Sequence, residues 1–127
     1  MADWVLDASA VLAVVLTEPG GDRVRPLIAD SLLSAVNLAE VATRLLDLGF
    51  AAAEVDRLLE RLRFSVVPFD AGLAVSAGRL RTQTRHLGLS LGDRACLALA
   101  QREQLPVLTA DRAWARLDVG VEVVLIR

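Results

Sequence analysis

The chain has 127 residues and a mass of 13.6 kDa, the size of one domain with room for one hydrophobic core. Apolar residues make up 54 % and mean hydropathy is +0.47, yet the longest apolar stretches, around Val11–Leu16 and Val123–Ile126, fall far short of the ~20 residues of a membrane span. Net charge is −2, with the basic side carried by arginine alone, a balance that neither requires nor excludes a nucleic-acid partner.

Other bulk features point to the cytoplasm. The start, Met1–Leu16, has no basic region and carries Asp3 and Asp7, so a signal peptide is not expected. Cys96 is the single cysteine and cannot form an internal disulfide, which suits a reducing compartment. So much apolar residue in a short chain suggests that an oligomer or a partner covers part of the surface.

In chain order, strands are predicted at Trp4–Leu6, Leu32–Ser34, Ser65–Val67, Val107–Thr109 and Val121–Ile126. Helices are predicted at Ala8–Leu16, Asp22–Ala29, Val36–Leu48, Ala51–Leu62, Ala71–Arg85 and Leu91–Glu103, with a short turn of helix after Asp111. In Ala51–Leu62 the residues Ala51, Val55, Leu58, Leu59 and Leu62 form one apolar stripe, away from Glu54, Arg57 and Arg61. Gly49 and Phe50 separate this helix from its predecessor, so the two are expected to form a hairpin. No linker, repeat or low-complexity tract interrupts the pattern. Alternating strands and helices predict an α/β fold with a parallel sheet covered on both faces. The chemistry is then expected where the strands end.

Four carboxylates fall at such places. Asp7 follows the first strand, Glu40 lies early in the helix after the second, Asp93 opens the helix Leu91–Glu103, and Asp111 follows the fourth strand. Each has an ordinary structural explanation. Asp7 and Asp111 stand where helix N-caps are expected, and Asp93, three residues after Ser90, suits a variant capping box. Glu40 lies with Asn37, Arg44 and Asp47 on a polar helix face and can pair with Arg44 at i+4. Against these explanations, Asp93 shares a helical stripe with Cys96, Leu97 and Ala100, which is expected to face inward, and a buried charge without a partner is costly. Four carboxylates gathered on one edge would also repel unless a cation sat among them. With oxygen ligands only, that cation would be hard, such as Mg²⁺ or Mn²⁺.

The segments Leu6-Asp7-Ala8-Ser9-Ala10, Asn37-Leu38-Ala39-Glu40-Val41, Leu91-Gly92-Asp93-Arg94-Ala95-Cys96-Leu97-Ala98-Leu99-Ala100 and Leu108-Thr109-Ala110-Asp111-Arg112-Ala113-Trp114 resemble, in order and spacing, the four signature blocks of PIN domains. Among these the chain most resembles VapC-type toxins, the ribonuclease partners of type II toxin–antitoxin pairs. The resemblance implies a Rossmann-like three-layer fold with a central five-stranded parallel sheet. It implies an Mg²⁺- or Mn²⁺-dependent endoribonuclease that hydrolyses RNA with a metal-activated water, leaving a 5′-phosphate and a 3′-hydroxyl. Asp7 and Asp93 match the direct metal ligands, Glu40 and Asp111 the other acidic positions, and Ser9 and Thr109 hydroxyls that orient carboxylates. A small cognate antitoxin and a homodimer are implied as partners. A fifth acid found in some relatives beyond Asp111 is absent here, where Ala115 and Arg116 stand.

Candidate RNA-backbone ligands are Arg79, Arg81 and Arg85 before the Asp93 helix, and Arg94, Arg112 and Arg116 near the acids. Each also reads as a solvated surface arginine. Four of the 16 acids set aside leave 12 against 14 arginines, a mildly basic surround. The one histidine, His86, cannot supply the paired acid and base of a metal-free ribonuclease. Cys96 reads as core packing. A receiver domain would need adjacent acids after the first strand and a lysine, but Ala8 follows Asp7 and lysine is absent. A haloacid-dehalogenase-type phosphatase would need an aspartate where Ser9 stands. The remaining alternative is a PIN nuclease that processes RNA without being a toxin.

Overall fold

A computed structural model describes residues 1–127. Strands β1 (Trp4–Leu6), β2 (Ser31–Ser34), β3 (Ser65–Val67), β4 (Val107–Thr109) and β5 (Val123–Leu125) form one sheet in the order β3-β2-β1-β4-β5. All four pairings are parallel, as the alternating pattern predicted. Helices α1 (Ala8–Val15), α2 (Gly21–Val24), α3 (Ala35–Asp47), α4 (Ala52–Arg61), α5 (Ala71–Arg79), α6 (Arg81–Thr84) and α7 (Leu91–Glu103) cover both faces. No helix is long and apolar enough to cross a membrane.

The strand period of two divides the core into two layers. Val5 is in register with Leu32 and Val107, and Val107 with Val123; this row packs against α5 and α7, with Leu97, Leu99 and Trp114. One residue on, Leu6, Leu33, Leu108 and Val124 form the opposite row, over Val11, Val14, Val41 and Leu45 of α1 and α3. The next residues along these central strands, Asp7 and Thr109, return to the first face and reach the sheet edge beneath the start of α7. That alternation carries the site chemistry to its place.

Several boundaries differ from expectation for local reasons. The helix expected over Asp22–Ala29 is the single turn α2 followed by a 3-10 stretch, Arg25–Asp30, because Pro26 has no N–H to continue the α-helical ladder. The helix expected over Ala71–Arg85 breaks near Leu80, where Thr82 and Thr84 turn their hydroxyls onto the Arg79 and Leu80 carbonyls. β5 is three residues rather than Val121–Ile126, since its only partner, β4, begins after Pro106 and is itself three long. The expected α3–α4 hairpin forms, and Val55 is buried with Leu58, Leu59 and Leu62 packed partly against the core. Ala51, placed on that stripe from the sequence, is exposed at the helix start.

Candidate active site

Asp7 is the centre of the site. It is 5 % exposed, at the end of central strand β1, where its backbone N–H still donates to the Leu108 carbonyl at 3.3 Å. Its Oδ1 accepts from Ser9 Oγ at 2.6 Å and from the Ala10 N–H at 2.9 Å, so the carboxylate is also the N-cap of α1. Its Oδ2 accepts from Thr109 Oγ1 at 2.5 Å, across the strand pair. A carboxylate has about four acceptor positions. Three are used, and the fourth lies on Oδ2. Burial raises the Asp7 pKa from 3.8 to about 6, against the lowering effect of its hydrogen bonds and with the nearby charge of Asp93 adding to the rise.

The two hydroxyls are themselves held. Ser9 Oγ accepts from the Ala110 N–H at 2.9 Å, and Thr109 Oγ1 accepts from the Asp111 N–H at 3.0 Å. Each hydroxyl is therefore steered by an incoming N–H to give its own proton to Asp7.

Asp93 lies within electrostatic reach of Asp7, and Asp7, Asp93 and Glu40 all lie within reach of Cys96. Asp93 acts on Asp7, and all three, together with complete burial, push the Cys96 thiol well above its ordinary value. Cys96 lies beneath the site with Sγ 3.6 Å from the Leu6 carbonyl, a core residue as expected. Asp111 stands on the same edge but apart. It is exposed, and its carboxylate accepts from the Ala113 N–H at 3.0 Å to cap the 3-10 turn Arg112–Arg116.

Three expectations need correction. Asp93 is not the buried carboxylate of the group. It is half-buried, because at the third position of α7 it turns back to accept from the Ser90 N–H at 3.0 Å, completing the capping box with Ser90 Oγ. The inward stripe begins below it, at Cys96 and Leu97. Glu40 does not pair with Arg44; Asn37 donates to its Oε1 at 2.7 Å, and Asn37 is buried rather than part of a polar face. Arg94 is not a free RNA ligand, since its guanidinium is tucked half-buried against α5 and donates to the Ala77 carbonyl at 3.0 Å. Arg79, Arg81, Arg85, Arg112 and Arg116 are exposed.

No three of the acidic side chains converge closely enough to hold one ion between them. None of the four acids forms an ion pair either: the only salt bridges join Arg102 to Asp70 and Glu103, and Arg127 to Glu18. Oxygen-only donors of this kind suit a hard cation such as Mg²⁺, which takes one or two carboxylates and fills its remaining positions with water. Asp7 Oδ2 keeps an acceptor position that no group of the protein fills. The sequence reading placed Asn37 on a polar helix face and gave Gly92 no role, although an amide three residues before Glu40 was a legible signal. A larger cleft of about 460 Å³, lined in part by Gln104, Pro106 and Glu122, lies at the opposite end of the sheet and contains none of these residues.

The family model for the PIN domain matches residues 4–120. The chain belongs to the PIN-domain family. No curated protein sequence matches it. Among solved structures, this PIN domain is similar to DNA-bound VapBC from Salmonella typhimurium, at 19 % identity over all of both chains with a TM-score of 0.79. It is similar to FitAcB from Neisseria gonorrhoeae, at 25 % identity over 97 % of each chain with a TM-score of 0.70. It is also similar to the sarcin-ricin loop cleaving toxin VapC20 from Mycobacterium tuberculosis, at 16 % identity over 94 % of this chain and 99 % of that one with a TM-score of 0.73. These likenesses establish the PIN fold across the whole chain. The acids of the PIN domain stand at the sheet edge where its parallel strands end.

Proposed function

We propose that this PIN domain is a divalent-metal-dependent endoribonuclease and the toxin of a toxin–antitoxin pair. The observation that carries the reading is Asp7, a buried carboxylate held by three donors, faced by Asp93 and paired with no cation of the protein. A cap of α1 alone needs neither the burial nor the second clamp through Thr109.

A bound Mg²⁺ or Mn²⁺ supplies Lewis acidity, polarising a phosphodiester oxygen and lowering the pKa of neighbouring water towards neutrality. Asp7 and Asp93 would hold that ion. Ser9 and Thr109 keep Asp7 in one rotamer, so that its free lone pair is presented without reorganisation. Glu40 and Asp111 would orient water, one carboxylate taking its proton as phosphorus is attacked in line and the departing 3′-oxygen being protonated from solvent. The exposed arginines Arg79, Arg81, Arg85, Arg112 and Arg116 hold the RNA backbone through bidentate phosphate contacts.

The toxin reading rests on the likeness of the whole chain to VapBC and FitAcB structures and on the surface of α3. Exposed Leu46 and Leu48 lie towards the end of that helix, and an open groove lined by Val36, Ala39, Thr43 and Arg44 leads to Glu40. An antitoxin segment covering this groove would bury the apolar excess and bring a basic group to the acids. A homodimer accounts for further apolar surface, such as Val66 and Val75.

Purified protein mixed with cellular RNA is expected to cut it in Mg²⁺ or Mn²⁺ and not in EDTA, leaving 5′-phosphate ends. One dominant cut site in end mapping supports the toxin, whereas many dispersed sites favour an RNA-processing nuclease. Metal-dependent calorimetry showing no ion bound through Asp7 would sink both. Neutralising Arg79, Arg81 and Arg85 together to Gln is expected to reduce the salt slope of single-stranded RNA binding by roughly 2, at about 0.7 per lost phosphate contact, with Tm unchanged. An unaltered slope would remove that face from the RNA path.

A further inference from the structure

Asn37 is 1 % exposed, in the first turn of α3. Its Nδ2 uses both hydrogens, on Glu40 Oε1 at 2.7 Å and on the Gly92 carbonyl at 3.0 Å. The amide cannot be turned over, because Oδ1 would then face a carboxylate and a carbonyl, acceptors both. Oδ1 itself is buried without a partner, a state native interiors seldom tolerate without a functional reason.

A second observation comes from α7. Gly92 is its second residue and is buried. A Cβ at Gly92 would run into the carboxylate carbon and both oxygens of Glu40. The Glu40 carboxylate thus rests on the bare backbone of α7, one residue before Asp93, and is held there from the side by Asn37. A plain clip between α3 and α7 would need only the bond to the Gly92 carbonyl. It would not need the second bond to Glu40 or a missing side chain beneath it.

We propose that Asn37 is a positioning residue that fixes Glu40 over the start of α7, with Gly92 as the seat that admits the carboxylate. This rests on the nuclease reading of the site. Asn37 and Gly92 therefore act on the ion only through Glu40.

The test is Mn²⁺ titration by calorimetry, with thermal melts, on Asn37→Ala, Asn37→Asp and Gly92→Ala, each alone and combined with Glu40→Gln. Each single variant is expected to weaken Mn²⁺ binding about tenfold. Asn37→Asp is expected to weaken it most, since it sets a like charge against Glu40. In the Glu40→Gln background the same changes are expected to have little further effect, as for residues acting through one group. Gly92→Ala is expected to keep its Tm, because the obstructed group is the movable end of Glu40 and alanine favours the helix. It decides the matter should Asn37→Ala fail to fold. Asp7-dependent Mn²⁺ binding that ignores Asn37 and Gly92, or losses that persist in full beside Glu40→Gln, would overturn the positioning role alone. Absence of any Asp7-dependent Mn²⁺ binding in the unsubstituted protein would instead overturn the nuclease reading beneath it.

Discussion

Asp7→Asn is expected to silence the nuclease and, at neutral pH, to stabilise the metal-free fold. On the mechanism proposed above, the loss of activity follows from removing the carboxylate at the centre of the site, an effect of several kcal/mol, or about 1,000-fold in rate. The gain in stability follows from linkage. In the folded protein Asp7 has a pKa of about 6, against 3.8 for an unperturbed carboxyl. Between these values the folded state holds the proton more firmly than the unfolded chain. Stability from this group therefore falls as pH rises through the window and stays lost above it, by about 3 kcal/mol in all. The amide is neutral throughout, and the Ser9 and Thr109 hydroxyls can rotate to accept from it. Melts from pH 4 to pH 8 in EDTA should show the variant gaining on the unsubstituted protein as pH rises. A constant offset between the two would mean that Asp7 titrates alike in folded and unfolded chains.

Gly21→Ala is expected to destabilise the fold by about 3 kcal/mol, although the residue lies outside the acidic cluster. Gly21 opens α2 against α1, and a Cβ there would strike the carbonyl of Ala13, backbone that cannot turn aside. For a domain of this size the Tm should fall by roughly 10 °C. Gly78→Ala is the matched control: Gly78 lies in α5 with nothing near its missing Cβ, and the change should raise stability by up to about 1 kcal/mol. Equal melting temperatures for the two variants would mean that α1 and α2 separate easily to admit the methyl.

The layout was legible in the sequence wherever local signals agreed. β1, β3, β4 and α7 stand at the residues the pattern indicated, and the Ser90–Asp93 capping box marks the start of α7. Spacing alone brought the four acids to one edge. Which carboxylate is buried was not legible, because Asp7 and Asp93 both read as caps and both are caps. What separates them is tertiary. Asp7 continues the register of β1 beside Thr109, under α7, whereas Asp93 turns back on its own helix. Arg94 misled for the same reason: nothing near it in sequence discloses the Ala77 carbonyl that receives its guanidinium. The short α2 was readable from Pro26, a stop signal that the apolar period obscured.

The hydrogen bond from Thr109 to Asp7 spans 102 positions of the chain. During synthesis at about 5–20 residues per second, Asp7 waits roughly 5–20 s for the strand that clamps it. Strand β1 has its β4 neighbour only then, so the clamped site is absent from the nascent chain until β4 has been made. A reading frame cut between Glu40 and Thr109 would encode Asp7, Glu40 and, in its longer forms, Asp93, yet leave Asp7 without the clamp that holds it.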